Sequence, residues 1–244
     1  MMTSDLHTHT IFSDGKNTPE EMVLSAIEKG LKTIGISDHS LTVFDSGYCM
    51  KVEKIPAYIE EINRLKEKYR DKIEVLCGFE QDLFSEKPNY NFDYIIGSVH
   101  YIKVQDEYVP VDFSAKKLKD AADKYFGGDI YPLIEEYYRL VGTITEKIDA
   151  DIIGHFDLIT KFQEKEPLFD ENDDRYVKAW QAAADKLLKA NIPFEINSGA
   201  ISRGYRTTPY PSPAIKDYIL KNGGRFIYNS DSHSADAVAN FKFL

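Results

Sequence analysis

The chain has 244 residues, 43% of them hydrophobic and 29% charged, an ordinary balance for a globular protein with length enough for one large core. Its 40 acidic against 30 basic residues leave a formal net charge of −10, which argues against nucleic acid or an anionic membrane as a partner, because both demand a basic footprint. A small phosphorylated substrate stays open, provided metal ions supply positive charge locally. The two cysteines, Cys49 and Cys77, are too few for a disulfide framework and form no Cys-x-x-Cys pair. No apolar run approaches the roughly 18–20 residues of a membrane span. The N-terminus lacks the basic start and long apolar stretch of a signal peptide, so a cytoplasmic location is expected. Composition and charge fix no oligomeric state.

Asp5-Leu6-His7-Thr8-His9 reads as the opening strand, with Asp5, His7 and His9 on one face because side chains alternate. Two imidazoles converging in this way suit a metal ion, and Asp5 is placed to accept a ring N–H. A loop over 12–17 carries Asp14. Thr18 then caps a helix with Pro19 at its first position and Glu20 and Glu21 in its first turn, and Lys29-Gly30 ends it. Residues 32–39 form a short apolar run ending in Asp38-His39, followed by a long loop over 41–54. Pro56 to Tyr69 is an amphipathic helix with Tyr58, Ile59, Ile62, Leu65 and Tyr69 on one stripe. Strands over 73–80, 94–100 and 151–157 carry Glu80, His100 and His155 at or near their ends. Helices are expected at 114–126, 130–148 and 172–190. Strands at 193–197 and 225–233 flank a helix at 213–221 that Asn222-Gly223-Gly224 stops. The 16 Tyr and 14 Phe read as core packing.

Strand and helix alternate about seven times, which implies parallel strands joined by right-handed crossovers. The pattern predicts an α/β fold with a closed or nearly closed barrel. A doubly wound open sheet competes, but no Gly-x-Gly-x-x-Gly follows the first strand.

All six histidines (His7, His9, His39, His100, His155 and His233) fall at predicted strand ends. In a parallel barrel those ends gather at one mouth. Glu80 and Asp231 join them there, with Asp14 on the first loop. Any one of these residues taken singly is more often a satisfied polar group than a ligand, but six histidines all ending strands point to one metal cluster. Six imidazoles and two or three carboxylates exceed the needs of one ion, so two or three divalent ions are implied. Mixed nitrogen and oxygen ligation suits Zn, Mn or Fe and disfavours Ca or Mg.

The chain resembles the PHP superfamily, named for polymerase and histidinol phosphatase, over nearly its whole length. The motifs are Asp5-Leu6-His7-Thr8-His9, Ser37-Asp38-His39, Gly78-Phe79-Glu80, Ser98-Val99-His100, Gly154-His155-Phe156-Asp157 and Ser230-Asp231-Ser232-His233. Within it the chain is most similar to the histidinol-phosphate phosphatases of histidine biosynthesis, through Gly97-Ser98-Val99-His100-Tyr101, His155-Phe156-Asp157-Leu158-Ile159, Glu195-Ile196-Asn197-Ser198 and Tyr210-Pro211-Ser212-Pro213. The resemblance implies a distorted seven-stranded (β/α)7 TIM-like barrel, residues 1–244 as a single domain, and a trinuclear centre at the C-terminal strand ends. It implies His7, His9, Glu80 and Asp231 around one ion, Glu80 bridging to a second with His100 and His155, and His39, His233 and Asp14 around a third. Asp38 orients the site. Relatives continue through another helix and short strand beyond the point where this chain stops at Phe241-Lys242-Phe243-Leu244, so a closing helix and strand are expected to be missing, with residues 234–240 at most beginning that helix.

The function this implies is hydrolysis of L-histidinol phosphate by hydroxide activated on the ions, without a phospho-enzyme. Asp231 and His233 belong to the catalytic cluster. Arg203 is expected to clamp the phosphate, relatives having an Arg in this loop, and Lys161 to supply a second phosphate contact, with Arg206 a weaker alternative. Rival readings are a phosphodiesterase or nuclease, a phosphatase for another small ester or nucleotide, and a metal-storage or sensor protein. A sequence pI of about 5.1 with no basic stripe disfavours a polynucleotide substrate.

Overall fold

The computed structural model describes residues 3–241; residues 242–244, which close the chain, lie outside the described residues. In chain order the strands are β1 (Ser4–Asp5), β2 (Thr33–Ile36), β3 (Glu74–Asp82), β4 (Tyr94–Ser98), a hairpin of β5 (Tyr101–Val104) and β6 (Glu107–Pro110), then β7 (Ile152–Ile153), β8 (Phe194–Asn197) and β9 (Phe226–Asn229). All but the hairpin form one seven-stranded sheet in the order β1-β2-β3-β4-β7-β8-β9, and every pair in it is parallel. The edges meet just past β1 and β9. There His9 N–H donates to the Ser232 carbonyl at 2.8 Å and Ser232 N–H to the His7 carbonyl at 3.2 Å, which closes the barrel.

The main helices are α1 (Pro19–Glu28), α2 (Ile55–Tyr69), α3 (Ala115–Phe126), α4 (Tyr131–Val141), α5 (Ile144–Lys147), α6 (Asp174–Leu188), α7 (Gly199–Ser202) and α8 (Pro213–Lys221). At the start of α1, Thr18 Oγ1 accepts from Glu21 N–H at 3.3 Å while Glu21 Oε2 accepts from Thr18 N–H at 2.8 Å, a reciprocal cap. The apolar stripe of α2 (Tyr58, Ile62, Leu65) packs with Met22 and Val23 of α1 against Ile34, Ile36 and Val75 on the outer face of the sheet. On the other half, Tyr137, Tyr138, Trp180, Phe156 and Phe194 form the larger cluster. None of the described helices is long and apolar enough to cross a membrane.

Strand periodicity decides what lies inside. On β3 the inward series is Leu76, Gly78, Glu80 and Asp82; on β4 and the residues after it, Tyr94, Ile96, Ser98 and His100. Each series starts apolar and ends polar. Tyr94, Ile96 and Ile152, with Leu6, Leu76 and Ile227, plug the N-terminal end of the barrel. Tyr94 reaches across it and donates to the Leu6 carbonyl. A Cβ on Gly35 or Gly78 would stand 2.0 or 2.1 Å from Tyr94 atoms, so both positions must lack a side chain.

Three stretches differ from the sequence expectation. Residues 101–110 form the β5–β6 hairpin. The helix expected over 130–148 breaks at Gly142-Thr143, where Gly142 packs closely on α6: a Cβ there would lie 3.3 Å from Ala183 Cα. After β9 the chain makes one 3-10 turn, Ala235–Ala237, in place of the start of a helix. Lys29 Nζ donates to the carbonyls of Ala235, Asp236 and Val238, holding this segment against α1.

Candidate metal centre

The barrel brings all six histidines, Glu80, Asp231 and Asp14 to one mouth. Glu80 stands at the middle. Its Oε1 lies 2.9 Å from His155 Nε2 and 3.5 Å from His100 Nε2, and its Oε2 lies 2.7 Å from His39 Nδ1, 3.3 Å from His7 Nε2 and 3.6 Å from His9 Nε2. Asp231 Oδ1 is 3.4 Å from His9 Nε2, 3.6 Å from His233 Nδ1 and 3.9 Å from His7 Nε2. Asp14 faces His233 Nε2 at 3.3 Å and His39 Nε2 at 3.7 Å. The His9 ring packs on those of His39 and His233, each 4.2 Å away, and those two lie 6.0 Å from each other. Asp231 adopts a left-handed φ of 50°, which turns its carboxylate out of the line of β9 and into the cluster.

These donors fit divalent metal. His7 Nε2, both ring nitrogens of His9 and Glu80 Oε2 are buried and have no hydrogen-bond partner among the described residues. Buried polar atoms are ordinarily satisfied, so the unpartnered His7 Nε2 and His9 Nε2, which stand within 3.6 Å of the unpartnered Glu80 Oε2, imply a cation among them. Two ligands about 2.0–2.1 Å from a tetrahedral ion stand roughly 3.3 Å apart. The His7–Glu80, His9–Asp231 and His233–Asp14 separations of 3.3, 3.4 and 3.3 Å match that span. Four overlapping donor groups arise: His7, His9 and Asp231; His7, Glu80 and His155; His39, Glu80 and His100; and His9, Asp14, His39 and His233. His9 thus also faces the group expected from His39, His233 and Asp14 alone.

Electrostatics point the same way. Burial pushes the Glu80 carboxyl up, but His7, His39 and His100 outweigh it and hold the group well below the usual carboxylate range. Burial also opposes ionisation of Asp231, which Arg203 and His7 overcome. His9 is driven well below an ordinary imidazole by burial and by His39 and His233, which keeps the ring neutral with one nitrogen lone pair free to ligate. Burial pulls His100 down, yet Glu80 and Asp82 outweigh it and push the ring up to about 9.

Two carboxylates orient the rings without being read from the sequence. Glu195 Oε1 faces His7 Nδ1 at 2.6 Å, while Glu195 Oε2 accepts from His155 N–H and from the Asn197 amide, both at 2.9 Å. Asp82 Oδ2 faces His100 Nδ1 at 3.1 Å and accepts from His100 N–H at 2.9 Å. Asp5, expected to take a ring N–H, instead accepts from Ser230 N–H at 3.0 Å and Ala239 N–H at 2.8 Å, and so ties β1 to the chain after β9. Both missed residues carried a signal. Glu195 is a charge inside a buried strand, and Asp82 lies two residues past Glu80 on the same face. Asp38 accepts from Thr10 and Ser13 N–H at 2.8 and 3.1 Å, fixing the loop that leads to Asp14.

A cavity of about 320 Å³ opens over the cluster. Arg203 lines it, donating through Nη2 to Asp231 Oδ2 at 3.0 Å and through Nη1 to the Asp231 carbonyl at 3.1 Å. A Cβ on Gly199 would meet Asp231 Oδ2 at 2.5 Å and Arg203 Nη2 at 2.7 Å, so glycine makes room for this pair. Lys161 lines the cavity too, its Nζ donating to the Asp112 carbonyl at 2.8 Å and carboxylate at 3.2 Å. Arg206 points elsewhere, over the Tyr210 ring and onto Thr160 and Thr208.

The PHP domain model matches residues 5–199. The histidinol-phosphatase of Lactococcus lactis is 28% identical over 96% of this chain and 86% of its own length, and that of Bacillus subtilis 24% identical over 98% and 96%. The crystal structure of the Lactococcus lactis histidinol phosphate phosphatase, complexed with Zn, L-histidinol and phosphate, superposes with a TM-score of 0.74 at 20% identity, covering 96% of this chain and 87% of that one; this likeness shows the fold. With the family model spanning the barrel from its first histidine pair to the start of α7, the chain belongs to the PHP domain family.

Proposed function

We propose that the protein is a metal-dependent phosphomonoesterase that hydrolyses L-histidinol phosphate to L-histidinol and phosphate. The observation that carries this is the set of orphaned, buried donors under a small cavity that also holds a guanidinium. The histidinol-phosphatases similar to it along almost their whole length support the substrate. The ligands proposed are His7, His9, Glu80 and Asp231 for one ion, Glu80, His100 and His155 for a second, and His39, His233 and Asp14 for a third, with Zn, Mn or Fe suited to the donor set. Bound divalent ions supply the charge that acidifies a water and neutralises phosphate oxygens.

The chain's own groups do the rest. Glu195 and Asp82 fix the His7 and His100 rings through Nδ1, so that Nε2 of each faces Glu80, at 3.3 and 3.5 Å. Arg203, held by Asp231, presents guanidinium N–H groups to the phosphate, and Lys161 adds a second positive charge to the cavity lining. Hydrolysis breaks the ester P–O bond; the oxygen of water goes to phosphorus and a proton to the departing alcohol. The cavity lies at the lower end of the ~300–1,000 Å³ range of small-molecule sites, which suits a small ester. Rates on histidinol phosphate and on bis(p-nitrophenyl) phosphate test the reading. It predicts clear preference for the monoester; faster diester cleavage contradicts it.

A further inference from the structure

The cavity walls differ in charge. Arg203 and Lys161, which follow β8 and β7, contribute cations, while Asp45 and Tyr48 follow β2 and Tyr101 opens β5. Three carboxylates besides Asp231 face this space, and two are spoken for. Asp14 stands against His39 and His233, and Asp112 is paired with Lys161 at 3.2 Å. Asp45 has no cationic partner among the described residues. Its Oδ2 accepts from Tyr101 OH at 2.8 Å, and Tyr101 OH lies 3.2 Å from Tyr48 OH. Tyr48 in turn sets its ring edge-on to His39, 4.9 Å away, so Asp45 stands two tyrosines from the metal-ligating groups.

The loop bearing Asp45 is anchored. Phe44 stacks on Tyr108 of β6 at 3.7 Å and packs edge-on to Tyr101 of β5 at 4.9 Å. Thr42 Oγ1 donates to the Asp45 carbonyl at 2.9 Å. The hairpin that the sequence pattern did not reveal therefore serves to place this carboxylate.

We propose that Asp45, framed by Tyr48 and Tyr101, is the subsite for a cationic nitrogen on the alcohol half of the substrate. The enzyme is thereby selective for phosphate monoesters that carry an amine a few bonds from phosphorus. The inference rests on the phosphomonoesterase reading above. A carboxylate beside two tyrosine hydroxyls attracts a protonated amine by charge and by hydrogen bonding. The same carboxylate repels a phosphate, so the ester enters with phosphorus toward Arg203 and the amine toward Asp45. An uncharged ester gains nothing from this end of the cavity.

The test is the ratio of kcat/KM for histidinol phosphate to kcat/KM for phenyl phosphate, in the metal-loaded wild type and in Asp45→Asn. Both rates come from one sample, so loss of folded protein cancels from the ratio. A fall of about tenfold or more in the variant, carried mainly by KM for histidinol phosphate, supports the subsite. A ratio within twofold of wild type overturns it. Should the wild type fail to hydrolyse histidinol phosphate, the substrate reading fails, and phosphoethanolamine takes its place in the ratio. Preference of the wild type for phenyl phosphate over both amines overturns the subsite as well.

Discussion

Glu80 touches five histidines because it sits on the inward face of β3 near the barrel axis, where neighbouring strands converge. Losing it leaves several imidazoles with no shared anion, and losing His9 removes the ring that packs on both His39 and His233. Glu80→Ala and His9→Ala are therefore expected to lose bound metal, read by elemental analysis, together with turnover. Arg203→Ala is expected to keep metal while raising KM about tenfold or more. Full turnover in either ligand variant would contradict the assignment. Glu195 acts one step back, through His7 and the backbone of His155. Glu195→Gln is expected to weaken metal affinity by about 10–100-fold, measured in metal-buffered titrations, with the far-UV spectrum retained. These residues differ in legibility. The histidines announce themselves by ending strands. Glu195 and Asp82 were marked as inward-facing charges on buried strands, but their partners were not legible, since Glu195 faces a ring 188 residues away and Asp45 a hydroxyl 56 residues away.

At the scale of elements, α1 and α2 are joined by Glu20, which contacts Lys68, Tyr69 and Arg64. Lys68, with Tyr69 and Arg64, holds the Glu20 carboxyl down to about 2. Ionised Glu20 thus stabilises the folded chain above the free carboxyl value of 4.5, and that contribution is lost as pH falls through about 2. Glu20→Gln is expected to lower Tm by about 1–2 °C at pH 7, with the gap from wild type narrowing by pH 3. An equal gap at both pH values would contradict this. Inside the barrel, Gly78→Ala forces Tyr94 from its place and is expected to destabilise the chain by about 1–3 kcal/mol in urea unfolding. Helix starts such as Thr18-Pro19 were legible because capping is local. The β5–β6 hairpin and the break at Gly142-Thr143 were not, since each depends on packing against distant elements: Phe44 on Tyr108 in one case and α4 on α6 in the other.

For the whole molecule, the closed order of seven parallel strands turns separate strand ends into one site. That step was readable from alternation of strand and helix, because short crossovers admit few topologies. The apolar plug around Tyr94 closes one end of the barrel, leaving the polar end as the place where charge must be balanced. A formal charge of −10 is compatible with a phosphate ligand only where cations are concentrated, and since Asp14, Asp45, Asp112 and Asp231 line the cavity beside Arg203 and Lys161, divalent ions on the histidines would have to supply that charge. The most direct test is to strip the protein of metal, add back Zn or Mn in measured equivalents, and follow phosphate release from histidinol phosphate. The account predicts almost no release from stripped protein and activity that rises to a plateau at two or three equivalents. Stripped protein as active as the reloaded enzyme would contradict it.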